Sequence, residues 1–316
     1  MSIRIVPEAE HSPGVEHIAP LVLPATDLPY ARRAARLRAL AQDHAMADYL
    51  LWSADLVDTL QQVCLEAPLP EAEGRNLAQA LRQPQGTPLH SGRWQRSTHW
   101  QVLLQQLLDL WLAQARMQTA PLQQTLQTLA QADAAQREAW ADALLAALRG
   151  DAPCTEQVLP DAGVAQLLLT ALSLYWRQLA SQLPGAGMAE LGEQRQLCPV
   201  CGHGPTGSLV LGGAQAGLRY LQCSLCESQW HMVRTKCSCC ESTEALDYWS
   251  QDSEKAAIKA ESCGDCHSYL KAFYLQADHQ LELVADDLAS LALDADMQEQ
   301  GLARSGINPL LLPGLG

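Results

Sequence analysis

The sequence predicts an α+β protein: an N-terminal all-α domain, then two small cysteine-pinned modules, then a closing helix. Three observations predict it. Apolar residues recur at helical period through most of the first 184 residues. Four Cys-x-x-Cys pairs crowd into the following quarter of the chain. After them comes an acidic stretch without lysine or arginine.

Residues from about 25 to 184 read as helical. Asp27 with Pro29 supplies a start signal, since proline suits the first turn, where no N–H partner is needed. Between Trp100 and Met117 the apolar positions are 100, 103, 104, 107, 108, 111 and 112, the stripe of an amphipathic helix. Leu122, Leu126 and Leu129 continue the pattern, then Trp140, Leu144, Leu145 and Leu148, with Gly150 as a stop. Val164 to Leu183 is the most apolar run and is expected at the centre; Pro184-Gly185 ends it. With one phenylalanine in the chain, the core is expected to be leucine and alanine, with Trp94, Trp100, Trp111, Trp140 and Trp176 packed into it.

The pairs are Cys198/Cys201, Cys223/Cys226, Cys237/Cys240 and Cys263/Cys266, eight of the 11 cysteines. Such a hairpin sets two thiolates at the spacing of two corners of a metal tetrahedron, and two hairpins close a Cys₄ site for zinc or iron. The offset from Cys198 to Cys237 is 39 residues and from Cys223 to Cys263 it is 40, so one module is duplicated in tandem, each copy with one metal. Short strands are expected at 208–211, 218–221 and 248–250, giving a rubredoxin-like or zinc-ribbon module. Units of about 40 residues are too small for a full core, so metal would supply much of their folding energy. The run Met1-Ser-Ile-Arg-Ile-Val-Pro lacks the apolar stretch of a secretory signal, which argues against a disulfide scaffold. Gly202 allows the positive φ of a tight knuckle. Cys237-Ser-Cys-Cys-Glu lacks that glycine and is expected to turn more loosely; of its adjacent thiols, Cys240 rather than Cys239 keeps the spacing.

Net charge is −14 and the pI about 5.0. No run reaches the roughly 18 apolar residues of a membrane span, so no membrane insertion is expected. Arg32-Arg33 lies in a basic helix face with no apolar run behind it. From Cys198 to Phe273 there are six basic and eight acidic residues. Four thiolates around a divalent ion add about two more negative charges per site. Nucleic-acid binding, which needs a basic footprint, is therefore disfavoured. Closed Cys₄ sites leave no open coordination position, and no phosphate loop or hydrolase motif is present, so no catalytic residue is assigned. His203, His231 and His267 are expected beside the metal sites rather than in them, Cys64 as a small buried hydrophobe and Cys154 in an exposed loop. Tyr274 to Gln300 carries seven acidic residues. Within it Val284–Glu299 reads as one amphipathic helix, followed by an apolar tail from Ile307 expected to pack on the body.

Longer strings add a resemblance. Cys198-Pro-Val-Cys-Gly, Gly217-Leu-Arg-Tyr-Leu-Gln-Cys-Ser-Leu-Cys-Glu, Trp230-His231, Ala256-Ala-Ile-Lys-Ala-Glu-Ser-Cys-Gly-Asp-Cys and Val284-Ala-Asp-Asp-Leu-Ala-Ser-Leu together resemble the formate dehydrogenase accessory protein FdhE family. The resemblance extends to Ala171-Leu-Ser-Leu-Tyr-Trp and Gly192-Glu-Gln-Arg-Gln, and more loosely toward the N-terminus. It implies a cytoplasmic, non-enzymatic factor that binds the catalytic subunit of a respiratory, molybdenum-containing formate dehydrogenase during maturation. It implies rubredoxin-type iron, with zinc the alternative, two metal ions in all, and it carries the eight paired cysteines over as ligands. A redox protein acting on the dehydrogenase and a zinc-ribbon adaptor are the competing functions. The expected divisions are a helical domain at 1–184, metal modules at 185–236 and 237–275, and an acidic helix with apolar tail at 276–316, in a monomer or weak homodimer.

Overall fold

A computed structural model describes residues 18–25, 30–81, 86–114, 119–151, 158–184, 195–251, 253 and 255–311. Asp27, Pro29, Cys154 and most of the linker after Pro184 lie outside them. Among the described residues a two-residue strand β1 (Leu21–Val22) precedes seven helices: α1 (Ala31–Leu40), α2 (Ala47–Glu66), α3 (Glu71–Ala80), α4 (His99–Ala113), α5 (Ala120–Gln131), α6 (Ala134–Arg149) and α7 (Ala162–Ser181). The periodic stripe of α4 buries Trp100, Leu103, Leu104, Leu107, Leu108 and Trp111, while Leu112 is left on the surface. Asp133 caps α6 by accepting from Gln136 N, and Gly150 ends it at φ 76°. Asp161 caps α7 in the same way through Val164 N. α7 is apolar nearly all round and accordingly runs through the centre, packed against α2, α4, α5 and α6. Trp176 is fully buried there, and Trp94 and Trp140 pack at the margin of the same core.

The second half forms β2 (Pro205–Val210), β3 (Arg219–Cys223), β4 (Gln229–His231), β5 (Leu246–Trp249), β6 (Ile258–Cys263) and β7 (Ser268–Tyr274). Then come helices α8 (Leu283–Ala289) and α9 (Leu291–Glu299) and strand β8 (Ala303–Arg304). The strands make one sheet in the order β1-β4-β3-β2-β7-β6-β5, with β8 also on β7. β2–β3–β4 and β5–β6–β7 are two antiparallel meanders, the structural form of the sequence repeat. They are joined by parallel pairing of β2 with β7, Ser208 opposite Ala272 and Leu209 opposite Phe273. The units thus stand side by side in the same sense, without a two-fold axis between them. β1 closes the free side of β4, pairing Leu21 with Trp230.

One continuous hydrophobic core runs from the helices through Val200, Leu221, Leu225 and Trp230 to Phe273, Val284 and Leu288. A satellite core of Ala260, Tyr269, Leu293 and Met297 lies under α9. The helix expected over Val284–Glu299 is broken at Ser290, whose φ of −112° and ψ of 34° are non-helical. The buried Lys271 explains the break: its Nζ donates to the carbonyls of Asp287 and Ser290 at 3.0 Å each, groups a continuous helix would bond internally. From Ser305 to Leu311 the chain lies on the body. Ile307 N donates to Pro205 O at 3.0 Å. Tyr49 Oη and Gln166 Nε2 donate to Leu310 O at 2.7 and 2.6 Å.

Candidate metal centres

Each Cys-x-x-Cys pair is a knuckle whose next residue has a left-handed backbone. The φ values are 81° at Gly202, 59° at Glu227, 61° at Glu241 and 51° at His267. The third knuckle is therefore not looser than the first, contrary to the expectation from its missing glycine. A left-handed non-glycine residue costs only about 1–2 kcal/mol, and local bonds offset that cost. Cys237 N donates to Ser242 O at 2.8 Å, as Cys198 N does to His203 O at 2.8 Å and Cys223 N to Ser228 O at 2.9 Å. Glu241 is further held by Arg195 N at 2.6 Å. Backbone N–H groups point at sulfur: Val200 N to Cys198 Sγ and Leu225 N to Cys223 Sγ at 3.4 Å, and Cys239 N to Cys237 Sγ at 3.3 Å.

The knuckles meet in pairs. Cys198, Cys201, Cys223 and Cys226 converge in the first unit, and Cys237, Cys240, Cys263 and Cys266 in the second, the four sulfurs of each group lying within 4.8 Å of one another. The sulfurs stand 3.3 Å apart for Cys201–Cys223, 3.6 Å for Cys198–Cys226, and 3.7 Å for Cys237–Cys266 and Cys240–Cys263. A disulfide needs about 2.05 Å. A tetrahedron with metal–sulfur bonds of about 2.3 Å has edges near 3.75 Å. Donor set and spacing both fit, and each group could hold one metal ion. Cys240 Sγ faces Cys263 Sγ, and Cys239 stands exposed beside it. Burial opposes charge on Cys226, but hydrogen bonds from Cys198, Cys201, Cys223 and Ser228 hold it well below the ordinary thiol range. Burial opposes Cys266 too, and Ser268, at 3.0 Å, is foremost among the hydrogen bonds that bring it down to about 7.

The environments differ sharply. All four sulfur-bearing residues of the first group are at most 1% exposed, whereas Cys240 is exposed and Cys266 partly so. The first knuckle is gripped by the loop between α3 and α4, where Leu89 N donates to Val200 O at 2.8 Å and Ser91 N to Cys201 O at 3.1 Å. Trp176 Nε1, from α7, fixes that loop by donating to Leu89 O at 2.9 Å. His90 packs so closely on Gly202 that a Cβ there would lie 2.8 Å from the imidazole. His203 is buried with Nε2 2.7 Å from Ser91 Oγ, and burial lowers its pKa to about 3, so the ring is neutral. His231 packs edge-on against Tyr220, and His267 is exposed. Cys64 is half-buried against the core, and burial pushes its thiol up.

A buried ionic cluster not anticipated from the sequence locks the second knuckle to the helices. Glu227, the residue after Cys226, accepts from Arg33 Nη1 of α1 at 2.8 Å and Arg177 Nε of α7 at 3.0 Å. Arg33 also reaches Glu282 at 3.0 Å, and both guanidiniums lie over the Tyr30 ring. Burial works against the Glu227 charge, yet the two arginines outweigh it and hold the carboxyl below its ordinary range. Beside this cluster, Arg36 binds Asp278 and Asp286 at 3.0 and 2.6 Å. The basic face of α1 therefore docks on the acidic segment, and the charge complementarity of 32–36 and 278–286 was the available signal.

Comparison with known proteins places the whole chain. Family models for the FdhE N-terminal, central and C-terminal domains match residues 18–193, 197–234 and 235–311. The chain belongs to the FdhE family. It is 48% identical over 320 aligned positions to the FdhE homolog of Edwardsiella ictaluri, covering 99% of this chain and 100% of that one. It is 44% identical to the homolog of Cronobacter sakazakii, with both chains fully covered. The crystal structure of FdhE from Pseudomonas aeruginosa superposes with a TM-score of 0.78 at 38% identity, over 93% of this chain and 99% of that one. Both cysteine groups of this FdhE family member fall within the matched central and C-terminal domains. Among the described residues no helix is long and apolar enough to cross a membrane.

Proposed function

We propose that this protein is a non-enzymatic accessory factor for maturation of a respiratory formate dehydrogenase, acting in the cytoplasm on the catalytic subunit. The observation that carries the reading is family membership along the full chain together with two four-thiolate groups of metal-binding geometry. Cys198, Cys201, Cys223 and Cys226 would hold one ion, and Cys237, Cys240, Cys263 and Cys266 the other, with iron the expected metal. When bound, iron in such a shell supplies a one-electron couple, and zinc supplies rigidity alone. The chain's own residues then hold the two units rigid against the helical body. The boundaries that fit this role are a helical domain to residue 184, metal modules at 185–236 and 237–275, and a C-terminal segment that straps them to α1.

The experiment is affinity isolation of the tagged native protein from anaerobic cells, with metal analysis and mass spectrometry of what accompanies it. The catalytic subunit in near-equal amount, with two metal ions per chain, is the expected outcome. Its absence alongside intact, metal-loaded protein would overturn the client assignment. One observation favours a redox role in addition: Cys240 and Cys266 bring the second centre to the surface, within reach of an external electron donor. A reversible visible-absorption change on reduction is expected for iron there, and a zinc-only native protein would end that reading.

A further inference from the structure

The internal repeat points to a second neighbour for β5, which among the described residues pairs on one side alone, with β6. Pairing registers equate β2 with β5. Ser208 faces Leu221 as Tyr248 faces Glu261, and Leu209 faces Tyr220 as Trp249 faces Ala260. In the first unit the far side of β2 carries β7 in parallel, and Ser208 and Leu209 are buried beneath it. Among the described residues nothing pairs with the far side of β5. There Tyr248 is 46% and Trp249 38% exposed. The strand Leu246-Asp-Tyr-Trp has neither proline nor lysine, two devices that usually blunt an open edge. The other end of the sheet is closed by β1, so a second copy cannot offer its β4 to complete the pairing.

The chemistry beside this edge is also specific. Leu246 and Tyr248 line a hollow together with Arg219, Arg234, Lys236 and Glu261. Arg219 is taken up by Glu261 at 2.8 Å and by backbone carbonyls. Arg234 Nη2 donates to Tyr274 Oη at 3.4 Å and its guanidinium lies over that ring, while its Nε is buried with no hydrogen-bond partner among the described residues; Lys236 pairs with Glu241 at 3.7 Å. A side chain arriving on that face meets the partly exposed Lys236, which has donors left for a carboxylate, and the buried Arg234 Nε lines the same hollow.

We propose that the outer edge of β5 takes an extended segment of the client polypeptide, paired in parallel as β7 is paired on β2. Its apolar side chains cover Tyr248 and Trp249, and an acidic side chain reaches Arg234 and Lys236. This mode of strand addition draws affinity from the main chain and specificity from alternate side chains. The identity of the partner rests on the accessory-factor reading; the edge itself does not.

The test is hydrogen exchange of the full-length, metal-loaded protein with a synthetic peptide copying Ser268–Tyr274 with Ala272→Glu, the position that lies opposite Ser208 in β2. Exchange at 246–250 is expected to slow by about tenfold. The peptide carrying Ala272→Lys instead is expected to bind about fivefold more weakly. Protein carrying Tyr248→Lys, checked for retained metal, should lose about tenfold in affinity. Binding without protection at 246–250, no peptide binding, or amides already protected in the free protein would each overturn the proposal. Co-purification separates the two ideas. Equal capture of the catalytic subunit by wild type and Tyr248→Lys overturns the edge and leaves the function standing. Capture by neither, with the peptide still protecting β5, overturns the function reading and retains the edge as a peptide site.

Discussion

Glu227→Gln is the most informative single change, because one carboxylate joins the first metal centre to two helices. Its partners Arg33 and Arg177 have side chains only 5% exposed, and Glu227 itself is 14% exposed. Glutamine keeps the size of the side chain while removing the charge both guanidiniums were buried against. Breaking a buried pair by removing one partner costs about 3–5 kcal/mol. Arg33 keeps Glu282 and Arg177 keeps Ala25 O at 2.6 Å, which favours the lower end, about 3 kcal/mol. An unfolding entropy of about 2.1 cal/mol/K per residue over 316 residues is roughly 0.7 kcal/mol/K. The midpoint should therefore fall by about 4–5 °C, measured by calorimetry on metal-loaded protein. Arg38→Ala is the control, since that side chain is 42% exposed and its pairs with Asp55 and Asp58 are at the surface; it should move the midpoint by less than about 1 °C. A Glu227→Gln midpoint within the range of that control would refute the claim that the cluster clamps the knuckle.

Four further outcomes follow from the geometry. A thiophilic chelator should draw metal in two phases, the fast one abolished by Cys240→Ser, because the second group is open to solvent and the first is sealed. Lys271→Met should cost about 3 kcal/mol in urea denaturation, since it leaves the carbonyls at the α8–α9 break without their donor and takes one cation from the buried Asp287, which keeps Arg304 and Asn308. Burial lowers the pKa of His99 while Gln178 partly restores it, so the unfolded chain takes up its proton first. That contribution is complete above about pH 6.5 and is lost as pH falls toward the folded value; His99→Gln should flatten the stability slope between about pH 7 and 5. Gly202→Ala forces a side chain into a φ of 81° against His90, and should both cost about 1–2 kcal/mol and speed metal loss from the first group.

What was legible in the sequence was local. The stripe from Trp100 to Trp111, the Gly150 stop and the cysteine spacing report on neighbours within a turn or a knuckle, and the structure has them in place. What was not legible depends on segments far apart in the chain. The parallel pairing of Ser208 with Ala272 has no local signature, and neither does the cap that Leu21–Val22 places on β4. Arg33 read only as part of a basic helix face because its partners, Glu227 and Glu282, are 194 and 249 residues away. Ser290 broke a helix whose periodicity was sound, because a lysine on a neighbouring strand claimed its carbonyls. Glu241 adopted a backbone expected of glycine because its own contacts repay a small local cost.

The absence of a two-fold axis between the repeats has an evolutionary consequence. Duplicates related by a dyad see the same surroundings and are constrained alike. Here one copy is interior, flanked by helices and the capping strand, and the other is terminal. Selection therefore acts on the copies unequally. The interior copy is answerable to the whole body for every change in its knuckles, while the terminal copy, whose Cys239 and Cys240 are exposed, has fewer contacts to satisfy. A saturation scan read out by folding alone should find positions 198–209 less tolerant of change than the matching positions 237–249.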